Sequence, residues 1–160
     1  MHLHIVSVFG ALSILVAIFA AWTALDLFQQ VRERRGKMRL PWLATSALAM
    51  GGGVWAMHFI AMLGFDPGAP VRYDLPLTAL SFLLALVGTS LAFLIAANGP
   101  GRGRTLLAGG IMGLSICAMH YVGMAALRTA TTMTYAPEWV ALSLGVALLA
   151  FTAALFAATH

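Results

Sequence analysis

The chain has 160 residues, 61% of them hydrophobic, with 9 Lys/Arg, 5 Asp/Glu and a net charge of +4. Soluble domains carry about 25% charged and about 45–50% apolar residues, so this composition, with a mean hydropathy of +0.93, excludes disorder, a disulfide scaffold and an ordinary soluble enzyme. An integral membrane protein remains; its surplus of positive charge is concentrated between Arg32 and Arg39, which reads as a topology signal rather than a nucleic-acid patch.

A membrane-spanning helix needs about 20 mostly apolar residues. The first such stretch is roughly 5–28, with His2 and His4 at its start and Asp26 near its end. No Lys or Arg precedes it, so it is not a signal peptide and is expected to stay in the mature chain. Asp26 is expected to snorkel or to cap. The basic stretch follows, and a second span covers roughly 41–64, containing Gly51-Gly52-Gly53 and Met57-His58. Asp66, Tyr73 and Asp74 lead to a third span, 75–97. Arg102 and Arg104 precede a fourth, 106–127, which carries Gly109-x-x-x-Gly113, Cys117 and Met119-His120. Tyr135 leads to the fifth, 137–159. The expected fold is all-α, a polytopic transmembrane helix bundle of five spans.

Positive residues fix its expected orientation. Arg32, Arg34, Arg35, Lys37, Arg39, Arg102 and Arg104 lie in the first and third connections, against Arg72 and Arg128 in the second and fourth. The N-terminus is then outside and the C-terminus inside. Glycines at close spacing let helices approach one another. The polar residues at the outer ends of the odd spans read as interfacial anchors (Tyr73, Tyr135) and solvated charges (Asp66, Asp74).

The chain repeats itself. Ala-Leu-Ser occurs at 11–13, 79–81 and 141–143, early in each odd span, where its serines are expected to bond across helices. Met57-His58-Phe59-Ile60-Ala61-Met62 matches Met119-His120-Tyr121-Val122-Gly123-Met124 at an offset of 62, as Met50-Gly51 matches Met112-Gly113. The unit is a helical hairpin. The chain holds two hairpins and half of a third, and the next Met-His pair would fall at 181–182.

Residues four apart share a helix face, so His58 points with Met62 and His120 with Met124. Cys117, one turn before His120, joins that second face; Met57 and Met119 lie about 100° round the helix and rank second. Both histidines sit about 10 Å below the outer boundary, and His4, with His2, starts the first span at that side. Imidazole with thioether is a soft donor set that favours copper, above all Cu(I). The motifs contain no carboxylate, which speaks against Mg, Ca and di-iron sites.

Two other readings stand beside this one. A lone intramembrane histidine is often a packing residue and methionine a gap filler, so a non-catalytic scaffold would also carry these residues. Two histidines at equal depth on different helices also suit bis-His haem in an electron-transfer subunit. The recurrence of both Met-His pairs and of the methionines that follow them favours ligands. Paired carboxylates, a Ser-His-Asp set and a nucleotide loop are all missing, so no enzyme is expected.

At Met57-His58-Phe59-Ile60-Ala61-Met62 and Met119-His120-Tyr121-Val122-Gly123-Met124 the sequence resembles the MHYT family of bacterial integral membrane sensor domains. The resemblance extends over nearly the whole chain. It implies a multi-pass sensor of the bacterial inner membrane that detects O2, CO or NO through copper near the outer face. It implies His58, Met62, His120 and Met124 as ligands, His4 as an N-terminal contributor, and a lesser part for Met57 and Met119; His2 and Cys117 stand with these weaker candidates by their positions alone. Tyr121 matches the tyrosine of the family name, whereas Phe59 departs from it. The family usually continues into a third Met-His helix and a cytoplasmic output domain of the cyclic-di-GMP type. The expected partners are therefore lipid, a diatomic gas, such an output domain or a partner chain, and a second copy of the chain.

Overall fold

A computed structural model describes residues 2–64, 70–128 and 137–159. Within them the chain forms five helices: α1 His2–Glu33, α2 Leu40–Leu63, α3 Leu75–Ala97, α4 Arg102–Ala125 and α5 Pro137–Thr159. A 3-10 turn, Gly36–Arg39, leads into α2, and two short strands, β1 Arg72–Tyr73 and β2 Leu127–Arg128, follow α2 and α4. Among the described residues four segments are long and apolar enough to cross a membrane: Val8–Glu33, Gly36–Leu63, Leu75–Ala97 and Arg102–Ala125. The chain is a multi-pass helical membrane protein.

The helix ends follow from local chemistry. Pro41 and Pro76 stand in the first turns of α2 and α3, where their missing N–H is not needed. Asp74 caps α3 by accepting from the Leu77 amide at 3.1 Å. Gly36 takes a φ of 64°, a left-handed turn that glycine adopts without strain. The first connection is shorter than expected, because α1 runs on to Glu33 through Gln29, Gln30 and Arg32, good helix formers that need no apolar surroundings. Asp26 is exposed inside this extended helix and therefore does not cap its end.

Neighbours in sequence are neighbours in space: α1 packs on α2, α2 on α3, α3 on α4 and α4 on α5. Lipid supplies no hydrophobic drive between helices, so close fit and small residues carry the association. A Cβ on Gly51 would stand 2.8 Å from the Ala85 carbonyl oxygen, and one on Gly113 would stand 3.0 Å from Leu148 Cα. Since Gly113 and Leu148 lie 62 positions beyond Gly51 and Leu86, the α2–α3 crossing recurs as the α4–α5 crossing. Gly53 likewise meets Ala20 across the α1–α2 crossing, and Gly88 meets Ser115 across α3–α4. At the basic end, Phe28 and Phe93 are fully buried with ring centroids 4.8 Å apart.

The serines of the repeated tripeptide behave unequally. Ser81 accepts from the Trp55 indole at 3.1 Å across α2 and α3, as expected. Ser81 also donates to the Thr78 carbonyl of its own helix at 2.7 Å, and Ser13 makes the same local bond to Gly10 at 2.8 Å, always open to a helical serine. The side chain of Ser143, together with Asp66 and Tyr135, lies outside the described residues.

The two strands form an antiparallel ribbon, Arg72 opposite Arg128 and Tyr73 opposite Leu127, which ties the exits of α2 and α4 together. At two residues each, the strands are too short to leave an alternating pattern in the sequence. Asp74 is more than a solvated charge there: Arg128 donates to it at 2.8 Å.

Candidate metal centre

His58 and His120 each sit five residues before the ends of their helices at Leu63 and Ala125. α2 and α4 run in the same sense, which brings the two histidines to one level, and their Nδ1 atoms lie 3.1 Å apart with the rings nearly perpendicular, at 80°. His58 is 6% exposed, whereas His120 is exposed. One imidazole must donate its Nδ1–H to the other, so the pair shares a single proton between the facing nitrogens. The far nitrogen of His58, Nε2, is buried without a hydrogen-bond partner and lies against Gly123.

Aromatic rings hold His58 from its own helix. Phe59 packs edge-on to it with centroids 5.0 Å apart, and Phe59 in turn contacts Trp55 at 4.9 Å and Tyr73 at 5.7 Å. Tyr73 thus links the ribbon to the histidine level; partial burial pushes its phenol pKa up. The Arg128 guanidinium, followed by the Leu77 amide, holds the Asp74 carboxyl below its ordinary value.

A cavity of about 340 Å³ opens beside the pair between α2 and α4. Its walls are Val54, Met57, His58 and Ala61 from one helix, and Ile116, Cys117, Met119, His120 and Tyr121 from the other. The expected ligands therefore separate into two groups. His58, His120, Met57, Met119 and Cys117 line one space, with Met119 1% exposed. Met62 is buried and Met124 half-buried, but neither lines this cavity. The side chains of His2 and His4 lie outside the described residues.

The donors present suit a soft metal ion. Two neutral imidazole nitrogens 3.1 Å apart are close enough to share one ion at metal–nitrogen bonds of about 2.0–2.1 Å. Among the described residues no group of three or more His, Cys, Asp or Glu could hold a metal. Among the described residues the other donors on the cavity wall are the Met57 and Met119 thioethers and the Cys117 thiol, soft groups of the kind that Cu(I) takes and magnesium does not.

Reading the sequence alone missed Gly123, although a signal was present: Ala61 occupies the matching place in the first repeat. It also missed the Asp74–Arg128 pair, which joins residues that no motif connects.

Residues 51–110 and 113–160 match the MHYT family, described as a bacterial signalling protein N terminal repeat. The chain is 43% identical over 149 residues to the bifunctional diguanylate cyclase/cyclic di-GMP phosphodiesterase MucR of Pseudomonas aeruginosa, a match covering 92% of this chain and 22% of that protein. It is 44% identical to the cyclic di-GMP phosphodiesterase NbdA of the same organism, over 89% of this chain and 18% of the relative. The signaling protein YkoW of Bacillus subtilis is 30% identical over 87% of this chain and 17% of its own length. The chain thus spans about a fifth of the length of the curated relatives it matches. No solved structure matches it.

Proposed function

The chain belongs to the MHYT family of bacterial signalling proteins, and we propose that it is a copper-holding sensor domain whose ligand atoms are the facing Nδ1 nitrogens of His58 and His120. The observation that carries this reading is their separation of 3.1 Å across two helices. Met57 and Met119 supply thioether sulfur from the cavity wall, with Met62 and Met124 one turn further along. His4, at the start of α1, is the further nitrogen donor proposed from a third helix. Copper bound there would supply an open coordination position for O2, CO or NO.

The protein's own residues do the rest. Phe59 and Trp55 fix the His58 ring, and the apolar walls exclude water while admitting a small neutral molecule from the lipid. A change in the spacing of the pair shifts α2 against α4, a helix displacement of the kind that carries signals across membranes. With five spans, the N-terminus outside and the basic turns in the cytoplasm, the shift reaches the inner face of the bacterial inner membrane. There it acts on a cyclic-di-GMP output domain of the kind that the relatives' names describe, or on a partner chain.

A haem held between the two rings is the less favourable alternative. Ligation from opposite sides of one iron needs nitrogens about 4 Å apart at bonds of about 2 Å, against the 3.1 Å observed.

Metal analysis of the purified protein tests the proposal. Copper is expected in the wild type and lost in His58→Ala and His120→Ala. Equal copper in the variants, or none in the wild type, removes the reading, and a Soret band would replace it with haem.

A further inference from the structure

The two Met-His motifs differ by single groups at Phe59/Tyr121 and Ile60/Val122, whereas at Ala61/Gly123 the side chain is lost altogether. The two histidines differ in parallel: His58 is 6% exposed and His120 is open to its surroundings. A Cβ on Gly123 would lie 2.7 Å from Nε2 and 3.1 Å from Cδ2 of His58. The His58 ring therefore occupies the space that a side chain at 123 would take.

Gly123 differs from the glycines that bring helices together. At Gly51 and Gly113 the added carbon would strike the backbone of the facing helix. At Gly123 it strikes the tip of an imidazole, which can turn away on its own torsions. Few contacts join α2 and α4, so no tight crossing requires glycine there. The buried Nε2 has no partner, an unfavourable arrangement that a free ring would escape by rotating.

We propose that Gly123 is a positioning residue: the gap at its missing side chain seats His58, closes Nε2 against α4 and leaves Nδ1 as the nitrogen offered to His120 and the cavity. His58 is then the fixed member of the pair and His120, which is exposed, the movable one. The seat itself is independent of metal; its consequence for copper rests on the function proposed above.

Both parts are read on the metal-free full chain and then with Cu(I) alone. Diethyl pyrocarbonate modification, mapped by mass spectrometry, should be slow at His58 and fast at His120 in the wild type. Gly123→Ala should raise the His58 rate severalfold and lower Cu(I) affinity by about 10–100-fold, the usual effect of disturbing a ligand's support. On a His58→Ala background Gly123→Ala should change neither the His120 modification rate nor whatever Cu(I) binding remains. Gly110→Ala, on the same helix with open space around it, should behave as wild type. His120→Ala should leave His58 protected, because the seat and not the partner ring holds it. Unchanged His58 reactivity in Gly123→Ala, or an exposed His58 in His120→Ala, overturns the proposal. A mobilised His58 with undiminished copper affinity supports the seat and overturns the ligand role of His58.

Discussion

Arg128 donates to Oδ2 of Asp74 at 2.8 Å while Oδ1 of the same carboxylate caps α3 through the Leu77 amide at 3.1 Å. One side chain thus joins the ribbon after α4 to the start of α3. The Asp74 backbone amide adds a bond to the Ala126 carbonyl at 2.8 Å. Both side-chain partners favour the ionised form, so the folded pKa lies below the ordinary 3.8. A lowered carboxylate pKa contributes stability that is fully present above the unfolded value and is lost as pH falls through the folded one.

Thermal unfolding in detergent should therefore show a loss between about pH 4, near the ordinary carboxylate value, and more acid conditions. Asp74→Asn should be less stable at neutral pH and should lack that part of the acid dependence. Parallel pH profiles for wild type and Asp74→Asn would remove the assignment to this pair.

The repeated crossings make a second prediction. Gly51→Ala and Gly113→Ala drive a methyl against facing backbone at 2.8–3.0 Å, which neither side can relieve by a side-chain turn. Overpacking of this kind costs about 1–3 kcal/mol. Gly103→Ala meets nothing within 4 Å and should be neutral or slightly stabilising, since alanine is the better helix former by about 1 kcal/mol. Unfolding of the three variants in mixed micelles, followed by circular dichroism, ranks them. Equal stabilities would mean that these glycines do not set the helix spacing.

A third prediction separates the methionines. Helix periodicity puts Met62 and Met124 in line with the histidines, whereas the cavity is lined by Met57 and Met119. Met57→Leu and Met119→Leu keep the volume and remove the sulfur, so they should weaken Cu(I) binding more than Met62→Leu and Met124→Leu. Competition against a chromophoric Cu(I) chelator measures all four. The reverse order would show that the ligand face follows the histidine line along each helix and not the cavity wall.

That contrast also marks what the sequence could reveal. The spans were legible because each is a long apolar run between charges, and the level of the histidines because two matched helices of equal sense must place matched residues at equal depth. Which side of each helix faces the other was not legible from a Met-His pair, since every face of a membrane helix is apolar and only the tertiary crossing chooses one. Contacts such as Asp74–Arg128 and Ser81–Trp55 depend on how hairpins dock, and no local pattern carries that information. Gly123 lies between these cases: the repeat exposes it as a departure, but only the His58 ring in its place gives the departure a meaning.

The last prediction concerns the basic end. Arg32 of α1 donates to the carbonyls of Ala158 at 2.7 Å and Thr159 at 3.1 Å, the final turn of α5. A cation at a helix C-terminus is favourable by about 0.3–1 kcal/mol at an exposed site, and the fork of the guanidinium meets two carbonyls at once. The two helices otherwise share few contacts, and a cavity of about 350 Å³ bordered by Gln29, Arg32, Glu33 and Ala158 separates them. Arg32 is therefore the principal described tie between the first helix and the last. Arg32→Gln should leave the melting temperature nearly unchanged while widening the distance distribution between spin labels at 29 and 158, measured on a Cys117→Ser background. Arg32→Lys should fall between the two, because a single ammonium keeps the charge but loses the fork. An unchanged distribution in Arg32→Gln would mean that helix packing alone positions the end of α5.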